Sequence, residues 1–207
     1  MKRVAFIGAG SHLHSVYDSM DKDKYEVVGC LDNLLETPTT NEGIAVLGKL
    51  DDFDVLKNHE VEAVMICIGD LKMRERLLKK VNECGLEMFS VIDDSAIVSL
   101  SAVIKEGTFV GKRAIVNANT TIGQGSIINS GSIIEHDVVI DTNVHVAPGA
   151  VVCGGVNIGD STLIGANATV IQQITIGTNA VIGAGATIIR DVKDGTTVVG
   201  TPGKEIK

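Results

Sequence analysis

Glu135, His136 and Asp137 stand side by side in a stretch whose other side chains are mostly small or apolar. An imidazole next to a carboxylate can move protons near neutral pH, because the carboxylate orients the ring and raises its basicity, as a general base requires. Eighteen residues on, the chain reads Gly154-Gly155. Such a pair leaves the backbone open to a ligand and can offer an amide N–H to a developing oxyanion. His145, in Val144-His145-Val146-Ala147-Pro148-Gly149, is the second ionisable exception. Each histidine also has a plainer reading, as a solvated outward side chain.

The eighteen-residue interval comes from the elements that must carry these groups. From Ile92 to Ile188 every sixth residue is Ile or Val, without a slip of register. Four residues after each of these 17 positions comes Ala, Ser or Thr in 12 cases, and the residue right after the aliphatic one is often Gly, Asn or Asp. A period of six fits neither an α-helix nor a hairpin ladder and marks a β-helix solenoid, with three hexapeptides to a triangular coil. The aliphatic residue stacks inward, where β-branching suits an extended packed backbone. The small residue fits the narrow interior, and Gly, Asn and Asp are read as corner residues with unusual dihedrals. In this register His136 is third in its hexapeptide and expected to point outward, beside Gly154 of the neighbouring coil; His145 is sixth in its own. Some solenoids of this kind hold zinc through three histidines from adjacent subunits, but only His136 and His145 lie in the run, so no metal is expected.

The first ninety residues read differently. Strands are expected at Val4–Ile7, Tyr25–Leu31, Val61–Ile68 and Leu86–Val91. Helices are expected from Ser11 to about Met20, around Asp51–Lys57, and from Leu71 to about Cys84, with a loop containing Pro38 and Gly43. Alternating strands and helices imply a parallel sheet whose ligand site lies at the carboxyl ends of its strands. Gly10, Asp32 and Gly69 all fall at such ends. Gly8-Ala9-Gly10 followed by Asp32 resembles a dinucleotide fingerprint, but the third glycine is replaced by Leu13. The preferred reading is a half-size nucleotide site, with loop amides and a helix N-terminus for phosphate and Asp32 or Asn33 for base or ribose. A tight strand-to-helix turn without a ligand is the alternative.

Composition bounds the partners. A net charge of −8 argues against nucleic acid and against a basic membrane patch. No apolar run approaches the roughly 18 residues of a membrane span, and the N-terminus lacks the pattern of a signal peptide. Cys30, Cys67, Cys84 and Cys153 show no CxxC spacing and are read as buried free thiols of a cytoplasmic protein.

The hexapeptide run, with Asn129-Ser130-Gly131 leading into Ile133-Ile134-Glu135-His136-Asp137 and then His145-Val146-Ala147-Pro148-Gly149-Ala150, resembles the bacterial sugar O-/N-acyltransferases. These include sialic acid O-acetyltransferases and N-acetyltransferases of UDP- and GDP-linked 4-amino-sugars. The likeness extends to Gly8-Ala9-Gly10-Ser11-His12, Leu31-Asp32-Asn33, Ile68-Gly69-Asp70 and Val198-Val199-Gly200-Thr201-Pro202. It implies a Rossmann-like α/β half-domain over residues 1–90, and a left-handed parallel β-helix with a C-terminal tail over 91–207. It further implies a homotrimer with acetyl-CoA along the groove between adjacent solenoids. His136 would be the general base, Asp137 its orienting carboxylate, and Asn129 and Glu135 supporting residues. His145, Ala166 and Ala184 would line the acetyl-CoA groove, and Gly154 would stabilise the oxyanion. Gly10, Ser11, His12, Asp32, Asn33 and Gly69 would hold the nucleotide of the acceptor. The chain departs from the family pattern at Ser11, where a glycine is usual, at His14, where lysine is usual, and at Asp137, which is glutamate in some members.

The expected activity is acetyl-CoA-dependent N-acetylation of a nucleotide-linked 4-amino-4,6-dideoxysugar for surface glycan synthesis. The same machinery acting on a hydroxyl of a sialic-acid-like sugar is the alternative. A non-catalytic nucleotide-binding solenoid is the reading from another class. An NAD-dependent redox protein is disfavoured by Leu13.

Overall fold

The computed structural model describes residues 1–33, 39–40 and 42–206. It divides into two compact units, Met1–Val91 and Ile92–Lys207.

The first unit is a five-stranded parallel sheet. Its strands are β1 (Lys2–Ile7), β2 (Tyr25–Leu31), β3 (Val46–Gly48), β4 (Ala63–Ile66) and β5 (Glu87–Met88), in the order β3-β2-β1-β4-β5. The helices are α1 (Ser11–Ser19), α2 (Asp54–Asn58) and α3 (Leu71–Glu83). Chain order runs outward in one direction from β1 to β3 and in the other through β4 and β5. The switch point therefore lies between β1 and β4, where a crevice opens at the carboxyl ends. The two central strands are apolar where both faces are covered: Val4 to Ile7 and Ala63 to Ile66 are all buried.

Several local expectations change. β3 is a strand that the sequence pattern does not reveal, since three residues are too few to show a period. The apolar run Leu86–Val91 is not one strand. Met88 pairs with Val64 on β4, while Val91–Ile92 joins the first stack of the solenoid, so one hydrophobic stretch serves two sheets. α2 starts at Asp54 instead of Asp51 because 51–52 form a turn. In the loop expected to contain Pro38 and Gly43, Pro38 lies outside the described residues. Of the four cysteines only Cys30 and Cys67 are buried; Cys84 ends α3 in solvent and Cys153 is half-buried on the outward side of its coil.

The second unit is a left-handed parallel β-helix. Two-residue strands stack into three sheets, from Ile97–Val98 to Thr187–Ile188, from Val103–Ile104 to Thr175–Ile176, and from Val91–Ile92 to the terminal strand Lys204–Glu205. Up to Thr187–Ile188 the strands pair eighteen positions apart, as in Val98–Val116–Ile134–Val152–Val170–Ile188; the last coil closes at sixteen, with Ile182 on Val198, and Lys204–Glu205 adds antiparallel. The hexad Ile and Val residues form one continuous core. Ile92 is an exception: it remains exposed because the first coil has no coil before it to stack on.

The corner chemistry differs from the sequence reading. The left-handed backbone falls on the third residue after the aliphatic one, as at Asn119 (φ 59°) and Asp137 (φ 58°), not on the first. Glycine directly after the aliphatic residue answers a different demand. A Cβ on Gly123 would lie 2.4 Å from the Asp141 carbonyl carbon, so the next coil's backbone occupies its space.

The small interior residue also does more than save volume where it bears a hydroxyl. Thr120 Oγ1 donates to the Glu135 carbonyl (2.7 Å) and accepts from the Val138 N–H (3.3 Å). Ser126 does the same with Asp141 and Val144 (both 3.0 Å), and Thr162 with Gly177 (2.7 Å) and Ala180 (3.0 Å). Each hydroxyl stitches its coil to the next by serving two buried backbone groups. Thr162→Val keeps shape but strips both partners, so it is expected to cost about 1–3 kcal/mol, read as a lower urea midpoint at unchanged slope.

Candidate functional site

The edge that carries His136 is built by its neighbours one coil away on each side. Asp137 N–H donates to the Ala118 carbonyl (2.9 Å), Gly155 N–H donates to the His136 carbonyl (3.0 Å), and Thr120 holds the Glu135 carbonyl. The left-handed turn at Asp137 swings its carboxylate back onto the preceding side chain. His136 Nδ1 lies 2.9 Å from Asp137 Oδ2, and a carboxylate only accepts, so Nδ1 carries the proton and Nε2 presents its lone pair outward. Asn119, eighteen residues before Asp137, donates from Nδ2 to Asp137 Oδ1 (3.1 Å). The hydrogen bond from His136 and then that from Asn119 hold the Asp137 carboxyl below its ordinary pKa, so it stays ionised. Asn119 is a member of this cluster that was not singled out from sequence, although the coil interval points straight to it.

Gly154 sits beneath the imidazole. A Cβ there would lie 2.7 Å from His136 Cε1 and 2.8 Å from Nε2, so the ring rests against the bare Cα. The glycine is required by this close approach. No acceptor takes the Gly154 N–H among the described residues. Glu135 neighbours Cys153 of the next coil, whose thiol is pushed up by burial and by that carboxylate.

Asn129 and His145 lie on a different edge. Asn129 Oδ1 accepts from the Ser130 N–H (2.8 Å), which turns its Nδ2 donor toward His145 Nε2 (3.3 Å). Ala166 and Ala184 follow further along that edge, with the Gly185 N–H donating to the Ala166 carbonyl (2.8 Å). Within one chain the strands Ile133–Ile134 and Val151–Val152 separate this edge from that of His136, so the expected catalytic and cofactor residues form two groups, not one.

In the first unit, Gly10, Ser11, His12, Asp32, Asn33 and Gly69 all line one cavity of about 480 Å³ at the switch point. Leu50, Cys67, Ile68, Asp70 and Met73 complete it. Gly8, at φ 94°, passes where a Cβ would lie 2.4 Å from Ile68 Cγ1. Asp32 Oδ2 accepts from the Ala9 N–H (2.8 Å), and Asp70 Oδ1 caps α3 through the Met73 N–H (2.8 Å). α1 starts with Gly10 at its cap and no side-chain cap bond, which leaves its positive end facing the cavity. Among the described residues no lysine or arginine lines this cavity. His14, where the family usually has lysine, pairs instead with Glu42.

The nearest buried cation is Arg74, another residue that was not singled out from sequence. It is one of the largest fully buried side chains and donates to the Ile68 and Gly69 carbonyls (3.1 and 3.3 Å), fixing the loop after β4. Burial lowers its pKa to about 10, still well above neutrality. His12 is neutral, since burial and then the Arg74 charge lower its pKa to about 4. A second cavity of about 420 Å³ at the last coil, lined by Arg190, Lys193 and Lys204 among others, holds none of the expected site residues. No metal-sized group of three or more His, Cys, Asp or Glu occurs among the described residues, and no helix there is long and apolar enough to cross a membrane.

Known proteins share this architecture. The model of the PglD N-terminal domain matches residues 3–81, and that of the bacterial transferase hexapeptide repeats matches 101–136, 119–154 and 155–190. The acetyltransferase domain of PglB from Neisseria gonorrhoeae, in complex with acetyl coenzyme A, is 31% identical over 99% of both chains, with a TM-score of 0.88. The chain belongs to the bacterial sugar acyltransferase family. A histidine variant of perosamine N-acetyltransferase from Caulobacter crescentus, solved with CoA and GDP-perosamine, is another relative. It is 29% identical, with a TM-score of 0.93 over 100% of this chain and 97% of that one. WeeI from Acinetobacter baumannii is 27% identical at a TM-score of 0.84 over the whole of both chains.

Family membership does not alter the electrostatics of the cavity, which set a pH window. Unfolded, His12 takes up a proton below about pH 6.5; folded, it resists down to about pH 4. Above pH 6.5 it is neutral in both states. The native state therefore loses up to roughly 3 kcal/mol as pH falls through this window. The His12 ring resonances are expected to hold their neutral positions at pH 5, and the urea midpoint of His12→Gln should fall less than that of the wild type between pH 6.5 and 4.

Proposed function

We propose that the protein transfers the acetyl group of acetyl-CoA to the amine of a nucleotide-linked 4-amino-4,6-dideoxysugar. The observation that carries this reading is the imidazole of His136, held by Asp137 through Nδ1 and resting on Gly154 with Nε2 facing outward. Support comes from relatives whose structures contain acetyl-CoA, or CoA with GDP-perosamine, and from a cavity of nucleotide size among the glycine loops. An amine already bearing a nucleotide handle explains why an acyltransferase carries such a unit; a free sugar would not need it.

In this mechanism the amine nitrogen attacks the thioester carbonyl carbon while His136 Nε2 takes its proton. The ionised Asp137 stabilises the imidazolium that forms, and Asn119 keeps Asp137 aligned. Negative charge collects on the former carbonyl oxygen, which the Gly154 N–H would stabilise as a donor. The carbon–sulfur bond then breaks, the thiolate receives the proton from His136, and amide and CoA leave. No covalent enzyme intermediate is required.

Asn129, His145, Ala166 and Ala184 lie one prism edge away from His136. A homotrimer would lay that edge of one subunit along the His136 edge of the next and enclose acetyl-CoA between them. The exposed apolar side chains Ile97, Leu100 and Val103 on the outside of the solenoid are consistent with such association. Acetyl-CoA and a nucleotide-linked sugar are cytoplasmic metabolites, which supports a cytoplasmic reaction.

Thiol release from acetyl-CoA, measured against UDP- and GDP-4-amino-sugars and free or CMP-linked sialic acid, tests this reading. Turnover on a nucleotide amino-sugar is expected. His136→Ala should lower kcat/KM by about 10²–10⁴-fold. Gly154→Ala, which drives a methyl into the ring, should be comparably damaging. Turnover only on a sialic acid would replace the amine by a hydroxyl. Silence throughout, with no acetyl-CoA binding, would leave the solenoid a non-catalytic scaffold.

A further inference from the structure

Among the described residues of the first unit, Arg74 is the only charged side chain that is fully buried. A buried charge is costly to keep unless it is hydrogen-bonded, so the use it makes of its donors is informative. The side chain leans back toward the start of α3, as helical side chains do. Its Nη1 donates to two successive carbonyls, those of Ile68 (3.1 Å) and Gly69 (3.3 Å). These peptides are trans, and in a planar trans peptide the N–H points opposite to the C=O. Each carbonyl drawn to Arg74 therefore turns the next N–H, of Gly69 and then of Asp70, away from it. Gly69 and Asp70 line the cavity and Arg74 does not, so the side away from the guanidinium is the cavity side. Neither N–H meets an acceptor among the described residues. A Cβ on Gly69 would meet nothing within 4 Å, so this backbone is open to approach.

The charges of the wall point the same way. Asp32, Asn33 and Asp70 are each engaged with a backbone N–H, of Ala9 (2.8 Å), Leu50 (2.9 Å) and Met73 (2.8 Å). Two wall carboxylates, with no lysine or arginine beside them among the described residues, would repel an anion. Arg74 stands behind the loop, and its charge reaches both His12 and Asp70. We propose that Arg74 is the positioning residue for the anionic part of the ligand: it aims two successive N–H groups at a diphosphate and offsets the wall carboxylates without touching the ligand. This rests on the cavity being the nucleotide site. Successive N–H groups turned to one side form an anion-binding concavity. Held by a buried guanidinium, they need little reordering when the ligand arrives. The arrangement suits a chain in which His14 pairs with Glu42 where a lysine is usual.

The test is titration calorimetry of the full-length wild type, Arg74→Met and Arg74→Lys with inorganic pyrophosphate, UDP, GDP, uridine and guanosine. The readout is the ratio of nucleoside to diphosphate dissociation constants for the base that binds. That ratio is expected to fall at least about tenfold in Arg74→Met, as charge-assisted hydrogen bonding is lost, and to recover in part in Arg74→Lys. A residue that only held the fold together would weaken nucleoside and diphosphate alike, and an unchanged ratio would overturn the proposal. Should a variant fail to fold, the wild type decides alone. Its Gly69 and Asp70 amide proton resonances are expected to move downfield with UDP or GDP but not with the nucleoside, and unmoved amides would overturn the role of Arg74 while leaving the nucleotide site standing. Pyrophosphate that moves both amides while no nucleotide binds would keep that role and sink the nucleotide reading. Silence from every probe would overturn both.

Discussion

Strict registry between coils is the constraint on which the solenoid and its chemistry depend. Because the strands up to Thr187–Ile188 pair with those eighteen residues away, each Ile or Val of the hexad lands on its counterpart, and the core is a set of vertical stacks. Registry of this kind tolerates no slip, since a one-residue shift would turn the aliphatic row outward. It is reinforced along the interior by the hydroxyls of Thr120, Ser126 and Thr162, each tied to two backbone groups of the following coil. The same registry sets Asn119 against Asp137 and Gly154 against His136. The proposed catalytic geometry is thus assembled from three successive coils of a rigid scaffold, without a loop that must close.

The two units meet opposite electrostatic problems in different ways. At the His136 edge the groups are exposed, so their arrangement is set by hydrogen bonds and a left-handed turn at Asp137; Coulomb forces in bulk solvent are too screened to hold it. In the switch-point cavity the charges are buried or engaged. Arg74 lies beneath the loop after β4, His12 is kept neutral, and Asp32 and Asp70 accept backbone N–H bonds. With no lysine or arginine on the cavity wall among the described residues, polarity there comes from backbone amides and the end of α1. Loss of the usual lysine to His14 is coherent with this, since His14 turns to Glu42.

Small residues carry more than one meaning in this chain, and that is where the sequence is hardest to read. Gly8 is needed for its backbone angle as well as its lack of a side chain. Gly123 and Gly154 have ordinary angles and are needed because a neighbour's backbone or ring occupies the Cβ position. The left-handed corners are taken by Asn119, Asp137 and others three residues past the aliphatic position. Composition around a corner shows that a tight bend is present but not which residue bears it.

The period of six was determined by the sequence alone, and with it the solenoid, the eighteen-residue coil and the placing of Gly154 beside His136. A β-branched residue at a fixed interval has only one way to be buried at every repeat. The alternation of strands and helices in the first ninety residues was likewise legible, as were six residues that share one cavity, because glycine and acid at strand ends mark the crevice of a parallel sheet. The tertiary structure alone decided the rest. It showed β3, the change of sheet within 86–92, the buried Arg74 and the hold of Leu50 on Asn33, all of which arise from contacts between residues far apart in the chain. The separation of Asn129 and His145 from His136 onto another prism edge was also legible, since neither lies a whole eighteen-residue coil from His136; only the hydrogen bond between Asn129 and His145 needed the structure.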